Sequence, residues 1–404
     1  MKTRILPVVF FIAFLLIYPL PGDAEEIIPV LKEEENRVAS ALDKYLEEQV
    51  QSLNIDSLDR YLRELEREVG YYMPSLSWSQ VWENLRRGEL PVHPTELIEG
   101  LGRYFLRELW AGVKLLSQLV ILAVAAAVLQ NLQASLGGSA GRLAHGIVFL
   151  ALAGMALASF TLALQSAGQA IDRMVSFFQS LLPMLVTLLA ASGGLTSSSL
   201  LHPVLLYSLT IANTLTRNTI FPLIYCGAVL GVVGQISDRF QIGRLAGLLR
   251  QLSLALLSLM LTVFTGVLSV YGIAGSVVDG VGLKTAEFAT STFVPVVGKI
   301  LSDAVTTVAG TTLLLKSAVG LSGVIVISFL AAFPMIKIVS LALIFRVAAA
   351  LVQPFGEDRL SDALEGMGGA LLLIFACLIA VALMFYLAIG VVVLLGNVVV
   401  ALRG

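Results

Sequence analysis

Residues 366–402 read GMGGALLLIFACLIAVALMFYLAIGVVVLLGNVVVAL, without one charged side chain. A helix needs about 20 apolar residues to cross a bilayer, and no soluble core demands a run this long. Working outward, further charge-free intervals occupy 115–141, 143–171, 174–216, 218–237, 251–278 and 317–336. The interval 174–216 is long enough for two helices, divided by the polar stretch Ser192-Gly193-Gly194-Leu195-Thr196-Ser197-Ser198-Ser199. After Pro334 and Lys337 the apolar run continues to Val352, room for a further helix. The expected fold is all-α: a polytopic integral membrane protein with seven or eight hydrophobic spans.

Composition agrees. The chain has 404 residues, 57% of them hydrophobic and 13% charged, with mean hydropathy +0.89. A soluble domain carries roughly a quarter charged residues. The charges are also segregated: residues 25–110 hold 18 acidic and 10 basic side chains, and the residues from 111 onward hold 9 and 14. Two solvents are implied.

Lys2 and Arg4 precede an apolar run from Ile5 to Leu20, and Gly22-Asp23-Ala24 offers small residues for cleavage. That order reads as a signal peptide over 1–24. Residues 25–110 are then expected outside the cytoplasm as a small helical domain. Leu58, Leu62, Leu65 and Val69 recur at helical spacing on one side of Glu64, Glu66, Arg67 and Glu68. Pro91-Val92-His93-Pro94 reads as a linker. Leu97, Leu101, Tyr104 and Phe105 form an apolar face, and with Trp110 they suggest an interfacial helix entering the bilayer. The membrane domain is expected over 111–404.

Lys and Arg concentrate in cytoplasmic loops. Arg239, Arg244 and Arg250 mark one such loop, Arg142 a second, and Arg346 with Arg359 a third. With the intervals counted as above, 192–199 falls on the cytoplasmic side as well.

Residues 276–316 break the apolar pattern with Asp279, Lys284, Glu287, Lys299, Asp303 and Lys316, and Pro295 divides the stretch. Lys284–Glu287 and Lys299–Asp303 are spaced to meet on a helix face. An amphipathic hairpin here either lies on the membrane surface or re-enters and lines a water-filled cavity. These six residues are the candidate polar path or subunit interface, because ionisable groups within membranes mark function. Ser192, Gly193, Gly194, His202 and Pro203 are the candidate helix break.

Catalytic chemistry is not indicated. Gly298-Lys299 lacks the spacing of a phosphate-binding loop, no H-E-x-x-H occurs, and the histidines are His93, His145 and His202. Gly320-Leu321-Ser322-Gly323 lacks the spacing of a serine elbow. Cys226 and Cys377 sit in apolar runs and read as small fillers. No enzyme, cofactor, metal site or nucleic-acid partner is expected. The small-residue pairs Gly227/Gly231 and Gly243/Gly247 suit close helix packing.

Several stretches resemble the stage III sporulation protein AE family of endospore-forming bacteria. They are Leu188-Leu189-Ala190-Ala191-Ser192-Gly193-Gly194 with His202-Pro203-Val204, and Asp279-Gly280-Val281 with Lys284-Thr285-Ala286. Phe293-Val294-Pro295-Val296-Val297-Gly298-Lys299, Leu313-Leu314-Leu315-Lys316 and Ala332-Phe333-Pro334 running on to Gln353-Pro354 follow in order. The resemblance implies a membrane component of an assembly with sister proteins AA to AH in the mother-cell membrane around the forespore. It further implies a link to the forespore membrane protein, stage II sporulation protein Q, and a channel supplied with energy by the AA ATPase. The expectation is a non-enzymatic subunit of that secretion-like complex, embedded in lipid and open to homo-oligomerisation. The alternative from the residues alone is a stand-alone secondary transporter of a small solute, since interruptions at 192–199 and near Pro295 suit broken-helix substrate sites.

Overall fold

The computed structural model describes residues 94–136, 139–235, 242–293 and 297–401, with isolated positions from 60 to 87 before them. Side chains at 130–145, 281–311 and 396–401 lie outside that description, as do the expected signal peptide and most of the expected N-terminal domain. The described elements are all helical: α1 (Pro94–Leu136), α2 (Ser139–Ala191), α3 (Leu195–Leu215), a π-helical turn (Thr216–Ile220), α4 (Phe221–Gly234), α5 (Gly243–Phe293), α6 (Val297–Val352) and α7 (Asp358–Ala401). A single 3-10 turn at Gln353–Phe355 joins α6 to α7.

Among the described residues, six segments are long and apolar enough to cross a membrane: Thr95–Leu129, Gly146–Ala191, Leu195–Gly234, Gly243–Gly280, Thr312–Phe355 and Asp358–Leu395. Against the expected seven or eight spans, the described residues hold six candidate spans, because helices continue through the charges that seemed to end them. Helix α2 runs straight through Asp172-Arg173, α6 through Pro334 and Lys337, and the π turn carries α3 into α4 past Arg217. Buried or paired charges and prolines are tolerated in such helices when neighbours satisfy them.

Side-chain contacts set the helix directions. Gly323 of α6 faces Leu181 and Ile389, and Gly320 faces Val393, so α2 and α7 both run antiparallel to α6. Tyr104 packs edge-on against Phe333 with ring centroids 4.8 Å apart, and Gly112 faces Ile344, so α1 runs parallel to α6. Gly275 meets Ser197, and Met260 meets Thr216, so α5 is antiparallel to α3. Gly227 of α4 is in ordinary contact with α5, the place of its missing Cβ lying 3.5 Å from the Ala246 carbonyl, while Gly231, Gly243 and Gly247 have open space beside them, so the small-residue pairs do not form a tight helix contact. Helix α7 is the most enclosed: 56% of its apolar window is buried, against 22% for the α1 span. Phe178 and Phe385, with centroids 5.4 Å apart, form part of the core between α2 and α7.

The bundle therefore has two ends. One carries the α2–α3 turn and the start of the α6 span, and is called here the turn end. The other carries the α4–α5 and α6–α7 connections. One continuous helix from Leu195 to Gly234 separates 192–199 from the Arg244–Arg250 region. The sequence-based placement of both on one side is thereby overturned, since it rested on two spans where one exists.

Candidate functional site

The α2–α3 turn is built by three residues. Gly193 has φ 100°, a conformation that glycine adopts without strain. Its N–H donates to the Ala190 carbonyl at 3.0 Å, and the Gly194 N–H donates to Leu189 at 3.0 Å. These bonds satisfy the last carbonyls of α2 in the Schellman pattern. The start of α3 has no side-chain cap of its own at Gly194. Asp279 supplies one from α5. The Thr196 N–H donates to Oδ1 at 2.8 Å and the Ser197 N–H to Oδ2 at 2.9 Å. A carboxylate at a helix N-terminus also gains from the helix dipole. Asp279 is buried, at 5% exposure. Gly275, one turn earlier, permits the approach: a Cβ there would lie 3.0 Å from the Ser197 Cα.

The candidate break and one of the candidate path residues are thus one structure. Ser192 is buried and bonds the Leu189 carbonyl through its hydroxyl at 2.8 Å. His202 and Pro203 lie within α3 rather than at the break, His202 half-buried and Pro203 exposed. Lys316, in α6 near the same end, is fully buried, and its Nζ has no hydrogen-bond partner among the described residues. The side chains of Lys284, Glu287, Lys299 and Asp303 lie outside the described residues. Their backbone belongs to α5 and α6, which prolong two spans. Helix α5 is unbroken from Gly243 to Phe293, so the first half of the expected hairpin continues the α5 helix. Past Asp279 it continues for roughly 20 Å at 1.5 Å per residue. Both interruptions thus fall between spans and not within one, which removes the feature that favoured the transporter reading.

A second polar cluster lies at mid-depth. Asp172 and Arg217, each near the middle of its candidate span, form an ion pair between α2 and the π turn. Arg217 Nη1 also donates to the Gly168 carbonyl at 3.1 Å, and a Cβ at Gly168 would crowd the guanidinium at 3.2 Å. A π turn widens the helix by one residue and recurs at functional sites. Here it carries Arg217 itself. On the other side of α2, a cleft of about 180 Å³ is lined by Tyr104, Gln169, Arg173 and Lys337. An adjoining cleft of about 510 Å³ is lined by Glu108, Gln165, Lys337 and Ser340 among apolar residues. The Ser340 hydroxyl is buried and has no partner among the described residues. Sequence reasoning missed this cluster because it treated Asp172, Arg173, Arg217 and Lys337 as span boundaries. The signal was present in the spacing of Gln165, Gln169 and Asp172, which share a helix face.

Six long apolar helices around a polar mid-depth layer define a multi-pass helical membrane protein. Residues 76–396 match the family model for stage III sporulation protein AE. The chain is also 36% identical over 360 residues to the stage III sporulation protein AE of Bacillus subtilis strain 168, covering 89% of this chain and 90% of that one. The chain belongs to the stage III sporulation protein AE family. No solved structure matches it.

Proposed function

We propose that this protein is a non-enzymatic membrane subunit of the secretion-like complex that links mother cell and forespore, and that forespore development requires it. The observation that carries the reading is the family match, which spans the whole helical bundle from before α1 into α7. Its partners on this reading are the sister proteins AA to AH and, across the intermembrane space, stage II sporulation protein Q. It resides in the mother-cell membrane around the forespore.

Orientation follows from the basic residues. Arg244, Arg250, Arg346 and Arg359 all lie toward the end of the bundle opposite the α2–α3 turn, which is the cytoplasmic end by the positive-inside tendency. The turn end, the extended α5–α6 hairpin with Lys284, Glu287, Lys299 and Asp303, and the N-terminal residues then face outward, where a partner across the intermembrane space is reached.

The test is replacement of the Bacillus subtilis relative by this chain. Heat-resistant spore counts near those of the parent strain are expected, with a fall of at least a hundredfold when neither gene is present. Full sporulation without either gene would overturn the assignment.

A further inference from the structure

One exposed stripe runs the length of α2, and its character changes halfway. From the end opposite the turn, the exposed positions are Ile147, Ala151, Gly154, Ala158 and Leu162, all apolar or small. The same helical line continues with Gln165, Gln169, Asp172, Ser176, Gln179, Pro183 and Thr187, all exposed and all but Pro183 polar. The spacings of three and four residues keep both halves on one face. The switch falls at the level of the ion pair and the two clefts. From there the polar half continues to the turn end of the bundle, where bulk water begins.

Two features meet on this face. The stripe is amide, hydroxyl and charge where lipid asks for hydrocarbon. The clefts at its inner end, of about 180 and 510 Å³, have room for several waters and offer them Gln169, Arg173, Lys337 and Glu108. The first half of α1, carrying Glu99, Arg103 and Glu108, runs beside this half of the bundle through Tyr104 and Phe333.

We infer that α1 and α2 wall a water-filled groove, floored by α6, that opens at the turn end and stops at mid-depth at Leu162. It admits water and hydrated solutes halfway into the membrane. The inference rests on the membrane placement of the spans, not on the sporulation role.

Single cysteines report the groove directly. In the full-length chain carrying Cys226→Ala, with buried Cys377 left in place, cysteine is introduced at Gln169, Ser176, Gln179 or Thr187, at Leu162 and Ala158, and at Leu259, Val263 or Ile273 of α5. A membrane-impermeant methanethiosulfonate is applied to protoplasts and to inside-out vesicles. The expected result is reaction at 169, 176, 179 and 187 from one side only. Positions 158 and 162, and those on α5, are expected to react at least a hundredfold more slowly. Uniformly slow reaction on both helices would overturn the groove, because the polar stripe would then be in dry contact with another protein. Fast reaction on both would overturn the membrane placement. Spore yield does not enter this readout, so a failed sporulation assignment leaves it intact and the reverse also holds.

Discussion

The open faces of α2 and α5 cross the same depth and differ in chemistry. On α5 the exposed positions include Leu252, Leu259, Val263, Val270 and Ile273, with Leu259 at 60% and Ile273 at 66% exposure, beside Ser258, Thr262, Thr265 and Ser269, and the last three donate their hydroxyls to carbonyls of their own helix. On α2 the polar half presents Gln165, Asp172, Ser176 and Gln179. Exposure to solvent in the isolated chain therefore means two things. For α5 it means lipid, where apolar surface costs nothing and a charge at mid-depth costs about 2.5–3.5 kcal/mol. For α2 it means a medium that solvates amides and charges. Hydropathy averaged over a window hides the difference, because both helices score as apolar spans, at 2.3 for α2 and 2.1 for α5.

The largest predicted effect tests that contrast head on. Val263→Arg places a cation on the lipid face near the middle of the α5 span, and a loss of about 3 kcal/mol is expected. Immunoblots of membrane fractions should show most of the protein gone. Gln169→Arg, at similar depth on α2, should keep the membrane level within twofold of the parent. Equal losses for both would erase the distinction between the faces.

Next in size is the link that ties α5 to the α2–α3 turn. Asp279→Ala leaves two amide donors of α3 buried without acceptors, and about 2–3 kcal/mol of stability is expected to go. The detergent-solubilised protein should melt at lower temperature, with Asp279→Asn between the two because one amide oxygen still accepts. An unchanged melting temperature for the alanine variant would deny Asp279 its capping role. Gly275→Ala should cost about 1–3 kcal/mol, since the new Cβ pushes against Ser197 backbone that cannot yield locally. The same melting measurement decides it, and a neutral result would mean that α3 and α5 part easily.

Lys316→Met probes the buried ammonium. Its Nζ has no hydrogen-bond partner among the described residues, so removing the charge while keeping the volume is expected to leave stability equal or higher. Spore yield at least tenfold lower in that stable variant would mark Lys316 as functional, and parental yield would mark it as dispensable. The smallest effect belongs to Asp172–Arg217. The pair is part-exposed, so a double-mutant cycle with Asp172→Asn and Arg217→Gln should return a coupling below about 1 kcal/mol. A coupling well above that would mean that this edge of the α2 face is dry.

Much of the architecture was legible from residues alone. Gly193-Gly194 after an apolar run marks a helix end because one residue there needs positive φ, and the structure places the turn at that point. The separation of α5, ending at Phe293, from α6, starting at Val297, falls where Pro295 was expected to divide the stretch. Reading charge as a span boundary failed at Asp172, Arg217 and Lys337. A charge ends a span only when nothing in the bundle receives it, and whether something does depends on segments far away in the chain. The same limit hid the role of Asp279, whose partners Thr196 and Ser197 are more than 80 residues distant.

From the amino-acid order by itself came the solvent, the helical class and the places where the chain turns, because apolar length and backbone permissiveness are local properties. Only the tertiary structure decided that the described residues hold six candidate spans, that Asp279 caps α3, and that one face of α2 is polar along half its depth. Depth and facing are set by which distant helices pack together, and no local pattern contains that information.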